Sequence, residues 1–169
     1  MEKEMRKITL RELDRDSFGV YGSYGQLIDP KTEKIGREPI EFYRDMVQLS
    51  LGSVQTASIS VCRVHRRPFV IDTAEYHDGS SEGILPLDGD VVIHVAPATP
   101  PGRLPLDRFE AFRVPAGTFV ALRPGVWHHA AYALEGEVVN VLIVLPERAY
   151  AVDCEVSKIS EEDQIEIET

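Results

Sequence analysis

The segment Glu75-Tyr76-His77-Asp78-Gly79-Ser80-Ser81-Glu82 places two metal-capable side chains, Glu75 and His77, two residues apart, with a third, Glu82, five residues after His77. Side chains in an extended strand alternate between faces, so Glu75 and His77 share one face. Leu87-Asp88-Gly89-Asp90 follows, and its Asp-Gly pair predicts a hairpin turn. Further on, Arg123-Pro124-Gly125-Val126-Trp127-His128-His129 brings in two adjacent imidazoles directly after a Pro-Gly turn signal. Adjacent residues of a strand point to opposite faces, so only one of the two histidines can join the first set.

Outward from these segments the chain is a series of short apolar runs separated by turn signals, the pattern of an all-β sandwich or barrel. Strands are predicted over 54–64, 69–75, 83–87, 90–96, 109–114, 118–122 and 138–145. In the first of them Ile59 and Val61 alternate with Ser58 and Ser60, which predicts that the apolar pair faces inward and that Arg63 follows it into the barrel. His94 falls on the opposite face from Val91, Ile93 and Val95 and reads as structural. Ile8, Leu10 and Leu13 suggest a short strand, with a turn or helix start at Asp14. The polar stretch 29–39 reads as a surface loop, and 97–105, which holds four of the eleven prolines, is a loop by φ restriction alone. The acidic end, 160–169, is either a mobile tail or a closing strand through Ile165 and Ile167.

At 169 residues the chain suits one well-buried core, so a single domain over 1–169 is expected. Apolar residues make up 43% and charged residues 27%, a mix that folds rather than stays disordered. The formal charge of −10 repels phosphate backbones and anionic lipid, which argues against nucleic-acid or membrane partners. No secretory signal is visible, and Cys62 and Cys154 are the two cysteines, far apart and without metal-type spacing; a cytoplasmic location is expected.

The two segments quoted first resemble the paired motifs of the cupin superfamily, in which histidine-x-histidine, a glutamate and a glycine are followed by proline-x-glycine-x-x-histidine. His77, Glu82 and Gly89 match the first motif, Gly125 and His128 the second, and Glu75 stands where the first histidine belongs. A closer resemblance covers nearly the whole chain, which is similar to the ureidoglycolate lyases, a cupin-like family. Glu75, His77, Pro86, Val126, Trp127, His128 and His129 match that family's pattern, as do the stretches Tyr43-Arg44-Asp45, Ile59-Ser60-Val61-Cys62-Arg63 and Asp153-Cys154-Glu155-Val156. Glu82 occupies a position where glutamine is typical, and Ala121-Leu122-Arg123-Pro124 one where a polar sequence is usual.

The resemblance implies an all-β cupin-type double-stranded β-helix, a jelly-roll barrel, assembled as a homodimer. It also implies a lyase of purine catabolism and allantoin degradation that splits ureidoglycolate into glyoxylate and urea. A cupin acting on another small carbonyl compound or sugar acid, or a non-catalytic cupin binding a small anion, is the alternative. Glu75, His77, Glu82 and His128 form a candidate set for a divalent metal; mixed imidazole and carboxylate donors suit zinc, manganese, iron or nickel, and a metal-free polar pocket is the other reading. Glu75 and Glu82 are the candidate catalytic carboxylates, and Arg63 the candidate clamp for a carboxylic acid substrate, with Arg123 behind it; Arg63 also reads as a solvated strand-end cation. His129 reads as a supporting or interface residue, Trp127 as core or dimer contact, and Cys62 as inert; Tyr43 and Tyr76 are assigned no role.

The charge balance yields the first testable expectation. The protein should show no retention on DNA or RNA at physiological salt, measured by filter binding; retention that falls with rising salt would contradict it.

Overall fold

A computed structural model describes residues 5–169. The strands are β1 (Arg6–Glu12), β2 (Gly22–Gln26), β3 (Ile35–Arg37), β4 (Ile40–Phe42), β5 (Ala57–His65), β6 (Val70–Ile71), β7 (Thr73–Tyr76), β8 (Glu82–Pro86) and β9 (Val91–Val95). They continue as β10 (Glu110–Val114), β11 (Thr118–Leu122), β12 (Tyr132–Ala133), β13 (Val138–Pro146), β14 (Glu155–Lys158) and β15 (Ile165–Glu168). Two short helices, α1 (Arg15–Phe18) and α2 (Ala149–Val152), join them; the Asp14 carboxylate caps the first by accepting from the N–H groups of Asp16 and Ser17 at 2.9 Å. Among the described residues no helix is long and apolar enough to cross a membrane.

Two sheets carry the architecture. One runs β12-β9-β10-β1-β15-β6 and the other β2-β11-β8-β13-β5, with the pairs β14-β7 and β3-β4 beside them. Strand β9 is buried along its whole length because each face meets a different apolar cluster. Val91, Ile93 and Val95 face Ile84, Val120, Leu122, Val139 and Val141 of the opposing sheet, so this cluster fills the space between the sheets. Val92 and Ala96 join Ile71, Trp127, Tyr132, Ile165 and Ile167, around which the six-stranded sheet curls upon itself. His94 lies within that second layer.

The first and last strands meet in the same sheet. Arg6–Thr9 of β1 pair in parallel with β15, and its remaining residues, Leu10–Glu12, pair in parallel with β10. The acidic segment that left tail and strand both open is therefore strand over Ile165–Glu168, with Ile165 and Ile167 buried.

Three local expectations are corrected. Ile59 and Val61 are 71% and 58% exposed, and it is Val64 and Cys62 that turn inward. The reason is the register with β13: Val64 and Cys62 lie directly across from buried Val139 and Val141, and opposed residues share a face. Arg63, opposite Asn140, consequently points outward and does not enter the barrel. Leu87-Asp88-Gly89-Asp90 is not a hairpin turn, because β8 pairs with β11 and β13 while β9 pairs with β10 and β12. It is a corner between the two sheets, held by Asp88, which accepts from the backbone N–H of Asn140 at 2.8 Å, and by Asp90, which binds Arg113 at 2.6 Å. Finally, the polar stretch after Asp29 is not loop throughout: it enters the exposed hairpin of β3 and β4.

His94 has no solvent exposure, and among the described residues its ring nitrogens find no well-formed hydrogen bond, the Thr73 backbone engaging the ring only weakly. Burial, aided by the charges of His129, His128 and Arg67, pushes its pKa down from 6.5 to about 3. The unfolded chain thus binds a proton that the folded chain refuses between those values, and the stability held above pH 6.5 is lost as pH falls through this window. Urea denaturation should therefore show wild type losing stability below about pH 6 more steeply than His94→Leu, by up to about 1.4 kcal/mol per pH unit. Parallel curves for the two proteins would refute this assignment.

Candidate functional site

Strand β7 divides its side chains as the alternation requires. Ala74 and Tyr76 enter the second apolar cluster, and Glu75 and the following His77 share the other face. The segment carrying His128 lies beside them through a two-way backbone bridge: Glu75 N–H donates to His128 C=O at 2.6 Å and His128 N–H to Glu75 C=O at 2.8 Å. The turn at Pro124-Gly125 makes this approach possible. Gly125 sits at φ +81°, Val126 N–H closes the turn onto Arg123 C=O at 3.2 Å, and Gly125 N–H donates to His77 C=O at 2.6 Å. A type II turn needs a residue at ease with positive φ at that position, which glycine supplies.

Strand β8 delivers Glu82, 8% exposed, between the two imidazoles. Its Oε2 atom lies 3.1 Å from His77 Nε2 and 2.9 Å from His128 Nε2. The other ring nitrogens are fixed by backbone: His77 Nδ1 donates to Asp153 C=O, and His128 Nδ1 donates to Val126 C=O at 2.8 Å. Both rings thereby aim Nε2 into one point. Burial pulls the His77 pKa down, but the Glu82 hydrogen bond, the Asp153 carbonyl and the charges of Glu82 and Glu75 outweigh it and lift the pKa to about 9. In Glu82 burial acts to raise the carboxyl, and the charge and hydrogen bond of His128, joined by those of His77, overcome it and hold the group below the usual range. His128 is raised for the reciprocal reason, with Glu82 opposing the cost of burial.

Glu75, His77 and His128 each offer a ligand atom, and these atoms lie within 4.8 Å of one another. The donor set fits a divalent cation: Nδ1 of each imidazole is anchored to a carbonyl, Nε2 faces inward, and the neighbouring carboxylates supply negative charge. The four residues nominated by the motifs therefore meet in one place.

Other nominated residues lie elsewhere. Arg63 is on the outer face of β5, and Arg123 is exposed, its Nη1 donating to Val20 C=O at 3.3 Å. Trp127 is a core residue, 1% exposed, packed edge-on to Tyr76 with ring centres 4.6 Å apart and donating through Nε1 to Thr99 at 2.8 Å. His129 is half-buried and outside the cluster's ligand set. Cys62 is half-buried on the inward face, with burial and the charge of Glu82 raising its pKa.

Sequence reasoning passed over Asp153 and Cys154. Beyond its carbonyl bond to His77, Asp153 accepts through its carboxylate from the backbone N–H groups of Asp78 and Gly79, both at 3.1 Å. The Cys154 thiol donates to Glu75 Oε2 at 3.4 Å, and burial with the charge of Glu75 pushes its pKa up to about 12. Strand β14 brings them there by pairing Val156 with Glu75 and Glu155 with Tyr76. Their one signal in the chain was membership of the stretch Asp153-Cys154-Glu155-Val156, which carries no spacing relation to Glu75.

Purified protein should accordingly carry close to one divalent metal per chain by elemental analysis, and His77→Ala with His128→Ala should lose it. Wild type that arrives without metal and cannot be loaded would remove the metal reading.

A sequence model of the family described as Ureidoglycolate lyase matches residues 5–168. A ureidoglycolate lyase of Rhodobacter capsulatus is 28% identical over 126 residues, covering 73% of this chain and 77% of that one. Among solved structures, a dTDP sugar isomerase of Desulfovibrio desulfuricans G20 superposes with a TM-score of 0.50 at 14% identity, covering 84% of this chain and 87% of that one. Bacillus subtilis oxalate decarboxylase, a protein with Mn(II) centres, gives a TM-score of 0.43 at 15% identity and covers 62% of this chain, which spans 24% of that enzyme's length. At such identities the likeness to the isomerase concerns the fold alone, and the fold is the all-β cupin type that the resemblance implied.

Proposed function

The chain belongs to the ureidoglycolate lyase family, and from that premise we propose that it splits ureidoglycolate into glyoxylate and urea at the cluster of Glu75, His77, Glu82 and His128. The observation that carries the reading is the convergence of two carboxylates and two inward-aimed imidazoles within a family-wide match.

The reaction needs little more than proton movement. Ureidoglycolate is a carbinol-urea: removing its hydroxyl proton lets the C–O electrons form a carbonyl while the C–N bond breaks, and the departing urea nitrogen takes up a proton. His77, His128, Glu75 and Glu82 would hold a divalent metal, whose chemistry when bound is to polarise the substrate oxygen and lower the hydroxyl pKa. In the metal-free site Glu82 accepts from both imidazoles and so holds the rings oriented toward the position a metal would take. Glu75 is half-buried and takes one weak bond from the Cys154 thiol at Oε2, which leaves a carboxylate oxygen for the substrate hydroxyl. It takes the hydroxyl proton and returns it to the leaving nitrogen, so no net proton is gained or lost by the site.

The reading includes one cupin domain over the chain, a cytoplasmic location, a role in allantoin-derived purine catabolism, and a homodimer with a small carboxylic acid as its ligand. Support for the homodimer comes from the outer face of β5, where Ile59 and Val61 stand exposed. A second reading, a cupin acting on another small carbonyl compound or sugar acid, is favoured by one observation: Ala121 and Leu122, where polar residues are usual, are buried apolar side chains.

Metal-loaded wild type should release urea and glyoxylate in equal amounts from ureidoglycolate. Glu82→Gln should lower kcat/KM by about 10- to 100-fold, because the amide keeps the shape but not the charge that orients both imidazoles. Loaded wild type that releases no urea would overturn the lyase reading; full activity in Glu82→Gln would overturn the part given to Glu82.

A further inference from the structure

Strand β5 ends the five-stranded sheet and β12 ends the six-stranded one, and a groove of about 470 Å³ lies along these open edges. Its walls include Arg63, His65, Arg66, Arg67, His129 and Asp72. In a chain of net charge −10, three arginines against one aspartate make this a local inversion of sign. An excess of two positive charges suits a single carboxylate better than a polyphosphate.

Arg67 is set in place before any ligand arrives. Its Nη2 donates to Ala130 C=O at 2.7 Å and Ala131 C=O at 3.2 Å, and its guanidinium lies 3.8 Å over the Tyr132 ring. A guanidinium already held by stacking and carbonyls loses little further freedom when it meets a carboxylate. Arg63 and Arg66, by contrast, are exposed on the rim.

The groove also borders the cluster. Thr73, which shares a face of β7 with Glu75, and Ala130, two residues after His128, both line it beside Cys62, so the groove adjoins the segments that carry the cluster. His129, on the other wall, follows His128 in the chain.

We propose that this groove is the vestibule through which a small monocarboxylate reaches the cluster, with Arg67 as the anchor for its carboxylate and Arg63 and Arg66 as steering charges at the rim. The proposal rests on reading the cluster as a site that acts on a small hydroxy acid. It moves the clamp from one strand residue to a preorganised arginine beyond the strand's end, and it gives the outward-facing Arg63 a part in association rather than in chemistry.

Two variants and two readouts test it. Arg63→Glu with Arg66→Glu, both exposed and so compatible with folding, should raise KM for ureidoglycolate by about tenfold, leave kcat within about twofold and flatten the salt dependence of kcat/KM. Arg67→Lys keeps charge but not the planar fork, and should raise KM by at least about tenfold, with its melting curve recorded to show a folded protein. Calorimetric titration with glycolate, a hydroxy acid, reads binding without turnover, and the double variant should weaken it by about tenfold. Unchanged KM and unchanged glycolate affinity in both variants would overturn the vestibule while leaving the lyase reading intact. Wild type that binds glycolate, loses it in the variants and yet releases no urea would sustain the vestibule and overturn the lyase reading alone.

Discussion

Glu82 carries a carboxylate into the interior, and its Oε2 atom meets the Nε2 atoms of His77 and His128 at 3.1 and 2.9 Å. A buried charge left alone would cost several kcal/mol, so its partners must be held where they are. That demand passes outward. Each imidazole is steered by a carbonyl at its far nitrogen, from Asp153 and Val126. Those carbonyls are placed by the pairing of β14 with β7 and by the turn at Pro124-Gly125. The sheets around the cluster are in this sense the scaffold for one carboxylate.

The cluster was legible because its signals are local. The spacing of Glu75, His77 and Glu82, and the Pro-Gly turn before His128, are short-range patterns whose geometry follows from strand alternation and turn chemistry. Most strands were legible for the same reason, and 118–122 coincides with β11. What failed was long-range. Which face of β5 is inside depends on its register with β13, from Val138 opposite His65 to Pro146 opposite Ala57, and no pattern within β5 encodes it. The Asp88-Gly89 turn looks like a hairpin because the dipeptide suits one, yet the strands it joins belong to different sheets. Asp153 and Cys154 reach the cluster through a pairing that only tertiary structure creates.

Polarity is distributed unevenly along a single strand. The inward residues Cys62 and Val64 belong to the core and the groove floor, Ile59 and Val61 give the outer face an apolar patch, and Arg63 with His65 turns the strand's end basic. One open edge thus offers two surfaces of opposite character, apolar toward its start and cationic toward its end. A long open edge invites pairing with other chains, and the charges at its end oppose that tendency.

The parallel position of β1 between β10 and β15 bears on how the chain is made. During synthesis the first strand emerges early, but its partners at Leu10–Glu12 and Arg6–Thr9 are supplied by residues 111–113 and 165–168. It must wait, unpaired, while the middle of the chain leaves the ribosome. Strand β7 waits likewise for β14, so Glu75 and His77 acquire their orienting partners only after Asp153 and Cys154 have been added. Ordering of the cluster is therefore a late event in the life of the nascent chain, and a stalled or truncated product would hold the histidines without the geometry that makes them useful.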